Sequence, residues 1–226
     1  MIRALTNQVP LHRITLVIAT GNPGKFDEIA ALLQGLPALL LPLDRVGPLK
    51  LPPESGESFQ ENARLKAAAV ARASGYVAIA DDSGLEVDAL GGRPGVLSAR
   101  YGGPGASDTD RIALLLRELQ TTPEALRTAR FRCVIAVAEP GGTVQLAEGV
   151  CEGRIAHAPR GTHGFGYDPM FEIPSLGKTF AEVEPEVKNR LSHRALALRK
   201  ARGIIEQILR KGAAGSGGPE IGRRSE

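Results

Sequence analysis

The chain has 226 residues, of which 42% are apolar and 23% charged, an ordinary composition for a globular α/β protein. Residues 1–13 and 210–226 each carry two net positive charges, so residues 14–209 carry a net charge of −1 and offer no general basic surface for nucleic acid. The sequence contains two cysteines and no secretory or membrane-length apolar run, which favours a cytoplasmic protein with reduced thiols.

The first predicted unit is a strand, a glycine-containing loop and a helix. Ile14–Ala19 is an apolar run typical of a buried strand, Thr20–Lys25 contains two glycines and a proline, and apolar residues then recur at helical spacing. Backbone N–H groups at such a helix start, together with Lys25, form an anion site for which phosphate is the natural ligand. The loop is not a Walker A motif, because only Asn22 and Pro23 separate its glycines. A simple helix start is the alternative.

The next elements are a short strand, a long loop and a second helix. We expect the strand at Ala38–Leu41 and a loop rich in proline and glycine over residues 42–58. Ser58 is a typical N-cap, and Glu61 three residues later completes the pattern of a capping box for a helix that ends near Ala73.

The apolar strand Tyr76–Ala80 is predicted to end in the sequence Asp81-Asp82-Ser83-Gly84. Ligands of open α/β sheets bind outside the carboxyl ends of strands, so acidic residues placed there face substrate rather than the core. Successive side chains of extended chain point to opposite faces, so Asp81 and Asp82 are expected to serve different partners. The alternative is a solvated turn with an Asx cap.

The second half of the chain is predicted to contain, in order, a glycine-rich loop, an amphipathic helix, a long hairpin, a second loop and a final helix. The ranges are Gly91–Gly105, Ile112–Leu119, Phe131–Ala138 with Thr143–Ala156, Pro159–Lys178, and a helix that begins near Ser192 and buries Leu198, Ala201, Ile205 and Ile208. Cys133 lies in the hairpin, where a buried structural thiol is favoured over a nucleophile. The glycine-rich end, 212–218, is expected to be disordered.

Two further clusters have the composition of binding sites. In Gly164–Pro169, Phe165 lies between glycines that cannot shield it, so its ring is free to stack on a base; the alternative is that an aromatic ring of this segment packs into the core. In Lys188–Arg194, Ser192 caps a helix whose first turn holds His193 and Arg194. A cation in the first turn of a helix is unfavourable by ~0.3–1 kcal/mol, because it opposes the helix dipole. Two such cations therefore favour a site with an anionic or hydrogen-bonding partner over a solvated basic turn.

Together these segments resemble the inosine triphosphate pyrophosphatase family, also called the non-standard purine NTP or dITP/XTP pyrophosphatases. The similarity covers roughly residues 14–209. Six segments match the family pattern in order, and that order is specific although no single segment is decisive: Thr20–Lys25, Phe59–Ala63, Ala80–Leu85, Pro94–Tyr101, Gly164–Pro169 and Ser192–Arg194.

The resemblance implies an α/β fold with a central twisted mixed sheet flanked by helices, and two lobes with the active-site cleft between them. It also implies a homodimer that uses Mg²⁺ to hydrolyse dITP, ITP, XTP or dXTP to the monophosphate and pyrophosphate, removing these nucleotides from the pool. Residues 14–209 would form a single nucleotide pyrophosphatase domain, preceded by an N-terminal extension over 1–13 and followed by a flexible tail over 210–226.

The resemblance also implies roles for individual residues. Asp82 would be both a metal ligand and the proton acceptor, and Glu54 the second metal ligand. The assignment of Glu54 is the loosest match, because Glu57 lies three residues away. Asp81 would then be a structural partner. The positions implied to contact substrate are Thr20, Gly21, Asn22, Pro23, Gly24, Lys25, Ser83, Phe165, Gly166, Tyr167, Asp168, Lys188, His193 and Arg194.

Base selection is expected at position 6 of the purine, where a donor would accept an oxo group and reject the amino group of adenine. His193, Arg194 and backbone N–H groups near Phe165 are candidates to supply that donor. Guanine shares the 6-oxo group, so its exclusion has to involve the 2-amino group, and the sequence does not indicate how.

Two other functions fit parts of the pattern. A Maf-like nucleotide pyrophosphatase would share the fold but differ in substrate. A non-catalytic binder of nucleotides or single-stranded RNA would use the aromatic residues and the basic ends, but it leaves Glu54, Asp81 and Asp82 unexplained, since acidic residues repel phosphate without a metal.

Overall fold

The structure is a computed structural model that describes residues 14–215, with side chains through Gly212. The predicted N-terminal extension and residues 216–226 of the predicted tail lie outside the described residues. The described chain folds into one seven-stranded mixed sheet flanked by helices, which confirms the predicted α/β class. Its strands are β1 (Ile14–Ile18), β2 (Ala38–Pro42), β3 (Val77–Val87), β4 (Thr128–Ala138), β5 (Val144–Ile155), β6 (Phe171–Ile173) and β7 (Lys178–Thr179). Its α-helices are α1 (Pro23–Leu32), α2 (Phe59–Ser74), α3 (Asp108–Glu118), α4 (Pro185–Leu191) and α5 (His193–Gly215).

The sheet order is β2-β1-β3-β4-β5-β6-β7. Strand β1 pairs in parallel with β2 and β3, and every later pair is antiparallel. Helices α1 and α5 cover one face at the β1 end, and α2 covers the other face with an alanine-rich surface. The long strands β3 and β4 continue into a second core that contains α3 and three packed rings, Phe131, Phe171 and Phe180. The two lobes therefore share β3, β4 and β5.

Strand β3 is longer than predicted. It does not end at Ala80 but continues to Val87, so Asp81, Asp82 and Ser83 lie inside the strand. The reason is β4, which pairs antiparallel with β3 from Ala78 to Val87 and supplies backbone partners beyond the end of β1. The alternating directions predicted for Asp81 and Asp82 are confirmed, because the two side chains contact different groups.

The C-terminal third also differs from the prediction in part. The segment predicted as one loop contains β6 and β7, and α4 was not predicted. Helix α5 begins at His193, and Ser192 caps it by accepting from the Ala195 N–H at 3.2 Å. Its four predicted inward residues are buried. The helix continues to Gly215, beyond the predicted end of the domain at Leu209.

Two local features fix the helices that carry site residues. At the start of α2, the Ser58 hydroxyl accepts from the Glu61 N–H at 3.2 Å, while the Glu61 carboxylate accepts from the Glu57 N–H at 3.1 Å rather than from Ser58. Helix α5 crosses β5 at Gly149, where a Cβ would come within 2.2 Å of the His193 carbonyl oxygen. A glycine at 149 therefore sets how closely the start of α5 approaches the sheet. No helix within residues 14–215 is long and apolar enough to cross a membrane.

Candidate active site

The candidate site lies where β1 ends and β3 continues. Strand β1 pairs with β3 only between Val77 and Ile79, so the edge of β3 that follows has no strand beside it on that side. This is the position at which α/β sheets bind ligands. A short 3₁₀ helix, Gly95–Arg100, packs along the edge so closely that a Cβ at Gly84 would come within 2.4 Å of the Gly95 carbonyl oxygen. The glycine at position 84, which ends the sequence Asp81-Asp82-Ser83-Gly84, therefore permits this close approach.

The predicted phosphate loop turns directly from β1 into α1. Asn22 is the N-cap, its Oδ1 accepting from the Lys25 N–H at 3.1 Å, and Thr20 Oγ1 accepts from the Asn22 N–H at 3.1 Å. Pro23 occupies the first turn, as is favoured at helix starts. Gly24 lies against Phe165, whose ring would be 2.5 Å from a Cβ at that position. Gly21 is exposed, and a Cβ there would lie in open space.

Asp81 is the buried centre of an ionic cluster on one face of β3. Its carboxylate contacts Lys25 Nζ at 2.5 Å and Arg194 Nε at 2.9 Å, and it accepts from Ser83 Oγ at 2.8 Å and from the Cys133 thiol at 3.0 Å. Burial opposes ionisation, but the charges of Arg194 and Lys25 prevail and hold the pKa of Asp81 well below its ordinary value. Asp81 therefore ties the phosphate loop to the start of α5.

A second set of charged residues continues from Arg194 toward residues 164–169, which we call the aromatic loop. The Arg194 guanidinium also donates to Glu28 on α1 and, at 3.0 Å, to Ser83 Oγ. Glu28 accepts from Lys188 Nζ at 2.6 Å, and Lys188 in turn contacts Asp168. All three nitrogens of the Arg194 guanidinium are thus engaged by protein groups, so this side chain orients the site more than it presents a free donor.

The aromatic loop is held from two sides. Asp168 accepts from the Phe165 N–H at 2.9 Å, and Lys188 Nζ lies 5.0 Å from the centre of the Phe165 ring, within cation–π range. Tyr167 is buried and donates to the Ser98 carbonyl oxygen at 2.9 Å, so this ring belongs to the core. Phe165, which is only partly buried, is the ring available for stacking.

Asp82 faces the other side of β3. Its Oδ1 is 2.6 Å from Lys66 Nζ, and the same ammonium lies 2.9 Å from Glu54 Oε1. Asn62 donates to Asp82 Oδ2 at 3.3 Å. Burial raises the pKa of Asp82, although the Lys66 charge opposes this; for the more exposed Glu54, Lys66 outweighs burial and lowers the pKa. Both residues implied as metal ligands thus converge on one cation.

The structure brings most of the predicted contact residues to one cavity of about 220 Å³. His193 lies in its wall, stacked on Phe131 with ring centres 4.5 Å apart. The predicted residues that line the cavity are Asn22, Lys25, Ser83, Phe165, Gly166, Tyr167, Asp168, Lys188, His193 and Arg194. Thr20, Gly21, Pro23, Gly24, Glu54 and Asp82 do not line it; the two acidic residues lie across β3 from Asp81.

Lys66, Asn62 and Glu28 belong to this site but were missed from the sequence. Lys66 and Asn62 are polar residues on the face of α2 that otherwise buries Phe59, Ala63 and Val70. A polar residue within an apolar helix face was the available signal. Glu28 gave no comparable local signal, since its partners come from α4 and α5.

Known proteins resemble the chain over most of its length. The sequence profile of the Ham1 family matches residues 16–204. The dITP/XTP pyrophosphatase of Geobacillus kaustophilus is 52% identical over 194 residues, which cover 86% of this chain and 95% of that protein. A dITP/XTP pyrophosphatase of Thermus thermophilus is 52% identical over 189 residues, which cover 84% and 90%.

Solved structures agree with the sequence comparison. A HAM1 protein from Coxiella burnetii superposes with a TM-score of 0.76 at 40% identity, covering 86% of this chain and 99% of that one. A nucleoside-triphosphatase / dITP/XTP pyrophosphatase from Mycobacterium abscessus gives a TM-score of 0.68 at 40% identity, covering 83% and 98%. With this site, this fold and these relatives, the chain belongs to the Ham1 family.

Proposed function

We propose that the protein hydrolyses the non-standard purine nucleotides dITP, ITP, XTP and dXTP to the monophosphate and pyrophosphate, and so removes them from the nucleotide pool. The enzyme class is nucleoside-triphosphate pyrophosphatase, in agreement with relatives that carry the name dITP/XTP pyrophosphatase at about half sequence identity.

One observation carries the proposal: consecutive residues of a single strand serve two different chemical environments. Asp81 faces the cations Lys25 and Arg194 beside the aromatic loop, whereas Asp82 and Glu54 face Lys66 on the other side of β3. A triphosphate that lies along the open edge of β3 would therefore pass from a base-stacking ring to a carboxylate pair.

The carboxylate pair fits a magnesium ion. Mg²⁺ in phosphate-processing sites is commonly held by one or two carboxylates, with substrate phosphates and water completing the shell. Glu54 and Asp82 already converge on one positive charge, and no group of three or more His, Cys, Asp or Glu side chains in the described chain forms a closed metal cage. We assign Glu54 and Asp82 as the residues that hold Mg²⁺, which when bound neutralises phosphate charge and polarises the phosphorus centre.

Asp82 is assigned as the proton acceptor for the attacking water. An ionised carboxylate within reach of that water can accept its proton. Lys25 at the start of α1 would stabilise negative charge on the phosphates, as would the loop N–H groups that are not already taken by Thr20 and Asn22. Ser83 and Lys188, both in the cavity wall, are assigned to substrate contacts.

The base is placed on Phe165, with His193, Arg194 and the backbone of the aromatic loop around it. With the base in this cavity, the phosphates would extend toward Lys25 and the β3 edge.

We further propose one catalytic domain over residues 14–209, a cytoplasmic location and a homodimeric assembly. The single continuous sheet supports the domain assignment, and two buried free cysteines agree with a reducing compartment. The dimer is an expectation from the family resemblance.

Product analysis tests the proposal. The purified protein is incubated with XTP, dITP, dGTP or ATP, with Mg²⁺ or with EDTA, and products are separated by ion-exchange chromatography. We expect monophosphate and pyrophosphate from XTP and dITP only when Mg²⁺ is present. Release of orthophosphate, or equal rates for all four nucleotides, would contradict the assignment.

A further inference from the structure

Two buried side-chain atoms lack a hydrogen-bond partner in the part of the chain with described side chains, and both belong to residues in the wall of the same cavity. They are Arg111 Nε and His193 Nδ1. Buried polar groups are almost always paired, and an unpaired one costs about 1–3 kcal/mol. Surrounding protein atoms close off His193 Nδ1 and Arg111 Nε, but Arg111 Nη2 is neither buried nor hydrogen-bonded to a described residue, so Nη2 is the donor left for a ligand in the cavity.

Arg111 lies in the cavity wall beside the aromatic loop. It is in the first turns of α3, where its Nη1 pairs with Asp108 Oδ1 at 2.7 Å, and the other oxygen of Asp108 accepts from the Gly166 N–H at 2.8 Å. Burial raises the pKa of Tyr167, and the nearby Arg111 charge opposes that rise. Arg111 is therefore attached to the aromatic loop through Asp108.

The chemistry of Arg111 restricts what it can recognise. A guanidinium has five N–H donors and no acceptor, and it stays protonated. Asp108 occupies Nη1 and leaves the accessible Nη2 without a partner among the described residues. The group that completes it has to be an acceptor, such as an oxo oxygen, and a second donor such as an amino group would be repelled.

Position 2 of the purine ring separates the candidate bases in these terms. Xanthine carries an oxo acceptor there, hypoxanthine carries only hydrogen, and guanine carries an amino donor. Position 6 cannot make this distinction, because all three bases have an oxo group at that position.

We propose that Arg111 is a specificity-determining residue that donates through Nη2 to the 2-oxo group of xanthine and excludes guanine by opposing its 2-amino group. The inference rests on the proposed function and deepens it, because it makes xanthosine triphosphates the preferred substrates within that class.

The test compares kcat/KM for XTP, dITP and dGTP in the wild-type enzyme and in Arg111→Met. A hydrogen bond to a charged group corresponds to a selectivity of about 10- to 100-fold. We expect the variant to lose that factor for XTP relative to dITP and to lose discrimination of XTP against dGTP. The inference is overturned if the three substrates change by the same factor or if none changes.

Two further variants make the result specific. Arg111→Gln retains a long polar side chain but adds an amide acceptor, so it is expected to admit dGTP, and it replaces the Met variant if that protein folds poorly. Arg117→Met removes an exposed arginine from the same helix and should leave the substrate ranking unchanged.

Binding of the product nucleotides separates this inference from the proposed function. Calorimetry with XMP, IMP and GMP requires no hydrolysis. Preferential XMP binding that disappears in Arg111→Met supports the inference even if the enzyme releases no pyrophosphate. Equal binding of the three monophosphates by the wild-type protein overturns it, even if pyrophosphate release from XTP is observed.

Discussion

The Arg194 guanidinium donates through Nε to the Asp81 carboxylate across 2.9 Å, although the two residues are 113 positions apart in the chain. Their side chains are 2% and 0% exposed, so the pair is fully withdrawn from solvent. It connects β3 to the first turn of α5, and through Lys25 it also reaches the phosphate loop. The arrangement of the whole site thus depends on one buried carboxylate.

Asp81→Asn is expected to lower the free energy of unfolding by about 3–5 kcal/mol, because it leaves buried positive charge without its partner. Urea denaturation followed by circular dichroism measures the loss. Asp88→Asn is the control: Asp88 pairs with Arg130 at the surface, where such pairs contribute about 0–1 kcal/mol. Equal losses in the two variants would show that the buried Asp81–Arg194 pair contributes no more to stability than the surface pair of Asp88 and Arg130.

Asp82→Asn is expected to bind nucleotide but to release pyrophosphate ~10²–10⁴-fold more slowly, because an amide cannot accept the proton from water. Turnover and equilibrium binding are measured separately. Glu86→Gln, on the same face of β3 and paired with Arg132, is the control and should keep wild-type turnover. Near wild-type turnover in Asp82→Asn would remove Asp82 from the role of proton acceptor.

Gly149→Ala is expected to destabilise the protein by about 1–3 kcal/mol and to reduce turnover, because the new methyl group would press on the backbone at His193. Gly203→Ala provides the contrast. Gly203 lies within α5 with open space around it, so alanine there should stabilise the helix by roughly 0.8–1 kcal/mol. Thermal unfolding and activity assays distinguish the two, and a neutral Gly149→Ala would contradict the close packing of α5 on β5.

His193 gives the protein a pH-dependent stability. Burial lowers its pKa well below the ordinary value, the charges of Arg194, Lys188 and Lys25 act in the same direction, and Asp81 opposes them. Below about pH 6.5 the unfolded chain therefore binds a proton that the folded protein does not, and the free energy of unfolding decreases by up to about 1.4 kcal/mol per pH unit. Above that pH this contribution is absent. Denaturation of wild type and His193→Gln between pH 7 and 5 should show a steeper loss in wild type; parallel curves would contradict this prediction.

Both cysteines are expected to be unreactive in the native state. Burial raises the pKa of Cys133 well above its usual range and that of Cys151 to about 11, so almost no thiolate is present at neutral pH. Ellman's reagent should therefore titrate no thiol in buffer and two in denaturant. Rapid labelling of one thiol in buffer would show that the protein around that cysteine opens enough to admit the reagent.

The sequence predicted the elements of the first lobe well, because their signals are local. The apolar run of β1, the Asn22 and Ser58 caps and the four inward residues of α5 each follow from short-range spacing, and the structure contains them. Strand β3 was predicted too short because its continuation depends on contacts from distant segments of the chain. Charged residues are rare in buried strands, and only Lys25, Lys66 and Arg194 from distant segments make the two acids tolerable there.

The site was predicted in its parts but not in its connections. Nothing near Glu28 in the chain indicates that it joins Lys188 to Arg194, since those partners lie on helices more than a hundred residues away. Arg111 had the appearance of an ordinary surface residue of α3, and only the cavity and its unpaired Nη2 single it out. Polar networks of this kind depend on tertiary structure, which local periodicity does not encode.

The alternation along β3 has a consequence for how the enzyme acquires its activity. Side chains in a strand repeat every two residues, so a slip of one residue against β4 would send Asp81 to the Lys66 side and Asp82 to the Arg194 side. Each carboxylate would then meet the wrong partners, and the cavity would lose the group that ties it together. A misregistered hairpin is therefore an inactive enzyme as well as an unstable one, so assembly of the sheet and assembly of the catalytic apparatus are a single event.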